Sequence, residues 1–235
     1  MEKSANNNKI KKNRVSYKFR TLKQSGKKAL IGFLTAGDPD LKSSERDIRC
    51  ALDEGIDILE LGVPFSDPMA DGPVIQAASE RALKGGITIS DIFNLVEKLR
   101  VRYNNPIILF GYVNPFMAYG YNMLCRDASN AGIDGMLAVD LSLRERGKLM
   151  RIMKLSKLML IPLIAPTTSE ERARIILRNA EGFIYYISIK GVTGSRKQID
   201  LEIKNRIAAV KQNTDLPVVA GFGITNGTQA KKLAE

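Results

Sequence analysis

The chain contains no histidine. Without imidazole there is no Ser-His-Asp triad, no His-based metal site and no side chain whose unperturbed pKa lies near neutrality, so proton transfer falls to Asp, Glu, Tyr, Lys or Cys. Cysteine is scarce as well. Cys50 and Cys125 stand alone without a C-x-x-C partner, which suits small buried residues in a reducing compartment, and no metal is expected. No apolar run reaches the ~20 residues that span a bilayer, so no membrane partner is expected.

Acidic residues are nearly missing from the start of the chain. Residues 1–28 hold ten Lys/Arg and one Glu, which accounts for +9 of the net +11 and leaves about +2 on the other 207 residues. Such an Asn- and Lys-rich stretch is expected to be a solvated, flexible basic tail. It has too few aromatics to stack bases, and no basic stripe continues into the body, so no nucleic-acid partner is expected. It also lacks the apolar segment of a secretory signal and is Lys-rich rather than Arg-rich, which points to the cytoplasm, with an organelle stroma as the alternative.

What is present is a regular alternation. Short apolar runs begin at Ala29, Asp57, Pro106, Gly135, Leu158, Gly182 and Leu216, and read as seven strands. Between them the apolar positions take a helical period, as in Ile92, Leu95, Val96 and Leu99, and again in Ala173, Ile176, Leu177 and Ala180, with Ser169 placed to cap the latter helix. Strand-helix alternation predicts a parallel sheet, and seven near-continuous apolar strands fit a (β/α)8 TIM barrel better than a doubly wound sheet. No G-x-G-x-x-G opens the first helix, which also argues against dinucleotide binding. Residues 29–235 are therefore expected to form one domain, incomplete at its C-terminus because the eighth strand-helix unit is not in the sequence.

Strand spacing is 23 to 34 residues except for one interval of 49, and that interval follows the second strand. There the run "ILELGVPFSDPMADG" carries a carboxylate inside an apolar strand. Period-two alternation puts Ile58, Glu60 and Gly62 on one face and Leu59, Leu61 and Val63 on the other. If the second set packs under helices, Glu60 points into the barrel mouth, where burial without a partner raises its pKa and makes it useful as an acid or base. Taken alone, this Glu is equally well read as a structural hydrogen-bonder. Asp67 and Asp71 follow in a loop constrained by prolines and a glycine, where turn chemistry and a returned carboxylate are both open readings.

The stretch "LELGVPFSDPMADGPVIQ" closely resembles the signature of the tryptophan synthase alpha subunit family. Agreement continues in "GFLTAGDP" at Gly32, in Tyr112 and Asn114, in Asp140, in the Tyr185 to Gly194 segment ending "GVTG", and in "GFGI" from Gly221. The resemblance runs from about residue 20 to the end. It implies a retro-aldol cleavage of indole-3-glycerol phosphate to indole and glyceraldehyde 3-phosphate, a lyase step of tryptophan biosynthesis, with no cofactor of its own. Glu60 matches the catalytic glutamate that moves protons between the glycerol hydroxyl and indole C3, and Asp71 the aspartate that holds the indole N–H. Tyr185 matches a tyrosine near that glutamate. Phe33 and Tyr112 fall where the family lines its indole pocket, and Thr193 lies in a loop that closes over substrate. Gly194 and Gly223 would hold the phosphate through backbone N–H groups, glycine allowing the close approach. Pro64, Asp67 and Asn114 match the contact region for a pyridoxal-phosphate-dependent beta subunit, giving an alpha-beta-beta-alpha heterotetramer.

The resemblance also explains why histidine is dispensable. Protonation at C3 makes an indolenine whose ring nitrogen accepts the electrons of the breaking carbon–carbon bond, so two carboxylates of unlike environment suffice. Departures from the family pattern are the missing eighth unit with its second phosphate loop, Ser142 in place of a proline, and Ile189 and Lys190 before "GVTG". Two other readings follow: a non-catalytic subunit that only binds or activates the beta partner, and a Schiff-base aldolase using Lys190, which ends the sixth strand.

Overall fold

The computed structural model describes residues 13–187, 205–221 and 226–234. The chain divides into two compact units, one through Leu160 and one from Ile161. In the first unit, β1 (Ile31–Thr35), β2 (Ile58–Gly62), β3 (Ile107–Gly111), β4 (Gly135–Ala138) and β5 (Met159–Leu160) form a sheet in that order. Every pairing is parallel. In the second, β6 (Leu163–Ile164), β7 (Ile184–Ile187) and β8 (Val218–Gly221) form a parallel three-stranded sheet.

All seven expected strands are present, but the run from Leu158 to Pro166 contains two. Pro162 has no N–H to give to a ladder, so the chain pairs with β4 before it and with β7 after it. Its carbonyl still serves, accepting the Tyr185 N–H at 2.9 Å.

The helices of the first unit are α1 (Arg14–Gln24), α2 (Leu41–Asp53), α3 (Pro73–Lys84), α4 (Ile89–Arg100), α5 (Val113–Tyr119), α6 (Tyr121–Ala131) and α7 (Leu143–Leu155). The second unit has α8 (Glu170–Leu177), helical turns α9 over 205–211, and α10 (Gly227–Ala234). Helix α4 starts from a capping box between Thr88 and Asp91, and its predicted stripe of Ile92, Leu95, Val96 and Leu99 is buried. Ser169 caps α8 as expected by accepting the Arg172 N–H, although the helix stops at Leu177, short of Ala180. Ser142, one of the departures from the family pattern, caps α7 by accepting the Glu145 N–H. None of the described helices is long and apolar enough to cross a membrane.

The core of the first unit lies between the sheet and its helices. Leu59, Leu61, Val63, Ile107, Leu109 and Met136 pack there with Ile48 and Leu52 of α2, the α4 stripe, and Leu124 and Cys125 of α6. Alternate strand residues occupy the opposite sheet face, and these include Glu60.

Helix α1 departs from the expectation of a flexible tail over residues 1–28. Residues 14–24 are helical with Val15 fully buried, while residues 1–12 lie outside the described residues. The reason is an ion triad. Arg14 Nε meets Asp134 Oδ1 at 2.8 Å, and Arg100 Nη2 meets Asp134 Oδ2 at 2.9 Å. The Ile107 N–H donates to the same carboxylate, and both guanidinium groups donate to the Gly132 carbonyl. Composition registers Arg14 only as one more positive charge; its partner is 120 residues away.

Candidate active site

Glu60 is the central residue of β2, in register with Phe33 on β1 and Ile108 on β3. In-register residues of a parallel sheet project from the same face, so its carboxyl shares that face with an aromatic and an aliphatic side chain. The residue is 4% exposed, and its Oε1 has no hydrogen-bond partner among the described residues. Burial pushes its pKa up to about 8, which leaves the side chain neutral and proton-bearing at neutral pH. The expected face assignment of Glu60 is observed, because Leu59, Leu61 and Val63 pack with the helices.

Two residues along, Gly62 makes room for Phe33. A Cβ there would sit 2.5 Å from Phe33 Cζ. The Phe33 ring is thereby free to meet Phe110 edge-on, with centroids 5.3 Å apart and planes at 78°. Phe33 and Phe110 thus form an aromatic wall on the Glu60 face, and Phe110 was missed in the sequence because it sits inside a continuous apolar run.

Asp71 lies in the long loop after β2, half-buried just ahead of α3, whose first residue is Pro73. Tyr112, at the end of β3, is 5% exposed and ties that loop down. Its hydroxyl accepts the Ala70 N–H at 3.0 Å and lies near enough to the Asp71 carboxyl for the two to influence each other's pKa. Burial raises the Asp71 pKa, and the nearby Tyr112 hydroxyl works against that rise. Burial also lifts the Tyr112 phenol to about 12, assisted by the negative charges of Asp71 and Asp140. The Phe65 ring lies against Tyr112 at a centroid distance of 5.3 Å, so the loop is held by stacking as well. Two carboxyls with different surroundings therefore lie in β2 and in the loop after it: Glu60, whose Oε1 has no partner among the described residues, and Asp71, near a phenol.

Of the proposed contact residues, Asp67 and Asn114 are exposed and Pro64 is buried. Asp67 accepts the Ser66 hydroxyl at 2.7 Å. Tyr185, in the second unit, is half-buried in β7, and Gly221 on β8 leaves the space its ring occupies, since a Cβ there would meet Tyr185 Oη at 2.6 Å. Thr193, Gly194, Gly223, Ile189 and Lys190 lie outside the described residues. A cavity of about 590 Å³ in the second unit, lined by Ile164, Arg174, Tyr186 and Arg206 among others, includes none of the expected site residues.

A parallel strand that presents a buried, proton-bearing carboxyl, with a second carboxyl in the loop after it, is the arrangement of an α/β-barrel enzyme working by carboxylate acid–base chemistry. The family model described as tryptophan synthase alpha chain matches residues 19–235. The chain is 45% identical over 221 residues to the tryptophan synthase alpha chain of Geobacter sulfurreducens, covering 94% of this chain and 84% of that one. It superposes on the crystal structure of the Legionella pneumophila alpha chain with a TM-score of 0.85 at 37% identity, over 94% of this chain and 81% of that one. Against the tryptophan synthase a2b2 complex from Pyrococcus furiosus the TM-score is 0.80 at 35% identity, over 88% and 83% of the two chains. The chain belongs to the tryptophan synthase alpha chain family, and its fold is that family's TIM barrel.

Proposed function

We propose that Glu60 and Asp71 are the working groups of the lyase reaction of this family. The reaction is the retro-aldol cleavage of indole-3-glycerol phosphate to indole and glyceraldehyde 3-phosphate, a step of tryptophan biosynthesis. The observation that carries the residue assignment is the Glu60 carboxyl, buried with no partner for Oε1 among the described residues and with its pKa raised to about 8. It delivers that proton to indole C3. The ring nitrogen, now part of an indolenine, takes up the electron pair as the bond from C3 to the glycerol chain breaks, and the adjacent glycerol hydroxyl becomes the aldehyde. The Glu60 carboxylate receives the hydroxyl proton, so the group returns to its starting state. Asp71, oriented by Tyr112, accepts a hydrogen bond from the indole N–H as positive charge develops there.

Phe33 and Tyr112 line the indole pocket, and Tyr185 is assigned a part in the catalytic step. Thr193 closes over substrate, and Gly194 and Gly223 bind its phosphate through backbone N–H groups. The chemistry needs no cofactor in this chain; pyridoxal phosphate belongs to the beta subunit, with which it forms an alpha-beta-beta-alpha heterotetramer. Support for that partner comes from the relative solved as an a2b2 complex. Asp67 and Asn114, both exposed, are assigned to the contact, with Pro64 shaping the loop that carries Asp67. Residues 29–235 together with the docked helix α1 make up one lyase domain, and the compartment is the cytoplasm.

The test is indole release from indole-3-glycerol phosphate by the chain alone and with a beta subunit, beside Glu60→Gln and Asp71→Asn. Activity lost in both variants supports the assignment. Partner activation that survives Glu60→Gln while the parent releases no indole identifies a non-catalytic subunit. A borohydride-trapped substrate adduct on Lys190 identifies the Schiff-base route instead.

A further inference from the structure

Helix α5 begins in an unusual way. Its N-cap residue, Tyr112, offers no side-chain cap, because the phenol is turned toward the loop after β2. The cap comes from another part of the chain. Asp140, in the turn that follows β4, accepts the N–H of Val113, the first helical residue, at 2.8 Å. A carboxylate is well matched to the positive end of a helix, and the bond joins segments 27 residues apart.

The consequence reaches the site through one residue. Val113 follows Tyr112 directly, so the bond that fixes the Val113 N–H also fixes the backbone from which the Tyr112 side chain leaves. The Tyr112 hydroxyl then holds the Ala70 N–H, and Ala70 is the residue directly before Asp71. We infer that Asp140 is a positioning residue for Asp71, acting through the Val113 N–H and Tyr112 to hold the loop after β2 against the end of β3. The inference rests on the lyase reading of this site for its effect on catalysis, but its mechanical part stands on the Asp140–Val113 and Tyr112–Ala70 hydrogen bonds, the second of which ends one residue from Asp71. Asp140 is itself exposed, so its link to Asp71 runs through the backbone rather than through a shared core. Its negative charge also adds, after burial and Asp71, to the rise of the Tyr112 phenol, which places the two groups near each other. Tyr121 contributes no competing bond: its hydroxyl is buried near Asp140 and has no partner among the described residues.

Two readouts test the inference on the full chain. The first is amide hydrogen exchange at Ala70, which donates to the Tyr112 hydroxyl and has no bond to Asp140. Asp140→Ala is expected to speed exchange at both Val113 and Ala70, and Asp140→Asn, which keeps an oxygen acceptor, to restore both. Faster exchange at Val113 with Ala70 unchanged would overturn the relay, whether or not the chain is active. The second is a double-mutant cycle on kcat/KM for indole release. Asp140→Ala is expected to lower it roughly tenfold, the size of one lost helix cap, and Asp140→Asn to recover most of that. In a Tyr112→Phe background the Asp140→Ala effect should shrink below about threefold, because the path to Asp71 is already cut. An equal loss in both backgrounds would assign Asp140 to general stability and overturn the inference. A parent chain without turnover, combined with the expected exchange pattern, would count against the lyase reading and in favour of the relay.

Discussion

Phe33 and Glu60 are register partners on adjacent parallel strands, so an aromatic ring and a carboxyl project side by side from one face of the sheet. That neighbour cannot accept or donate a strong hydrogen bond, and burial then decides the protonation state of the acid. Replacing Glu60 with Gln keeps the shape and removes the proton. The expected result is a fall in kcat of roughly 10²- to 10⁴-fold, with a native far-ultraviolet circular dichroism spectrum. Retention of more than a tenth of the parent rate would remove Glu60 from the chemistry.

The raised Glu60 pKa also fixes the sign of two pH effects. With Glu60 as the proton donor proposed above, the active form of the free enzyme carries the proton, so kcat/KM should fall as pH rises through about 8. A profile that climbs through the same range would mean that the carboxylate is the working form.

Stability should follow the same group. Between its ordinary value of 4.5 and about 8, folded Glu60 holds a proton that the unfolded chain has released. Folding therefore loses stability as pH climbs through that window, and loses no more above it. Glu60→Gln does not titrate. The urea unfolding free energy of the variant should gain on the parent by roughly 2–5 kcal/mol between the two ends of the window. Parallel curves for the two proteins would show that Glu60 titrates normally.

The Arg14–Asp134–Arg100 triad gives a prediction about the opposite ends of the strands. Asp134 is 6% exposed, and burial raises its pKa even with Arg14 and Arg100 beside it. Asp134→Ala would strand two guanidinium groups and leave the Ile107 N–H without its acceptor. The expected loss is about 3–5 kcal/mol in urea unfolding, with kcat little changed in the folded fraction. A loss below about 1 kcal/mol would mean that the triad is effectively solvated.

Much of this architecture is legible in the sequence because strand and helix periods are local signals. The α4 stripe and the two faces of β2 follow from spacing alone, and so does the placement of Glu60 on the face away from the helices. What escapes is set by single distant partners. Pro162 divides one apolar run between two sheets, and only pairing with β4 and β7 reveals the division. Arg14 turns the end of a basic tail into a docked helix because Asp134 is there to receive it. Asp140 caps a helix that starts 27 residues earlier. Phe110 joins the Glu60 face through its ring contact with Phe33, on a strand it does not pair with.

Gly62 supplies the last test, because its role is to be absent. A Cβ at this position would come within 2.5 Å of Phe33 Cζ and 2.9 Å of Cε2, so Gly62→Ala must displace the ring. The expected cost is about 1–3 kcal/mol of stability, together with a rise in KM as the aromatic wall beside Glu60 is disturbed. Phe33→Leu in the same chain removes the clashing ring atoms. The double variant should recover most of the stability, making the pair strongly non-additive, yet keep the raised KM because the wall itself is gone. Simple addition of the two single-variant losses would show that the ring already had room to move, and the packing of Phe33 against Gly62 would then not be what shapes this face of the site.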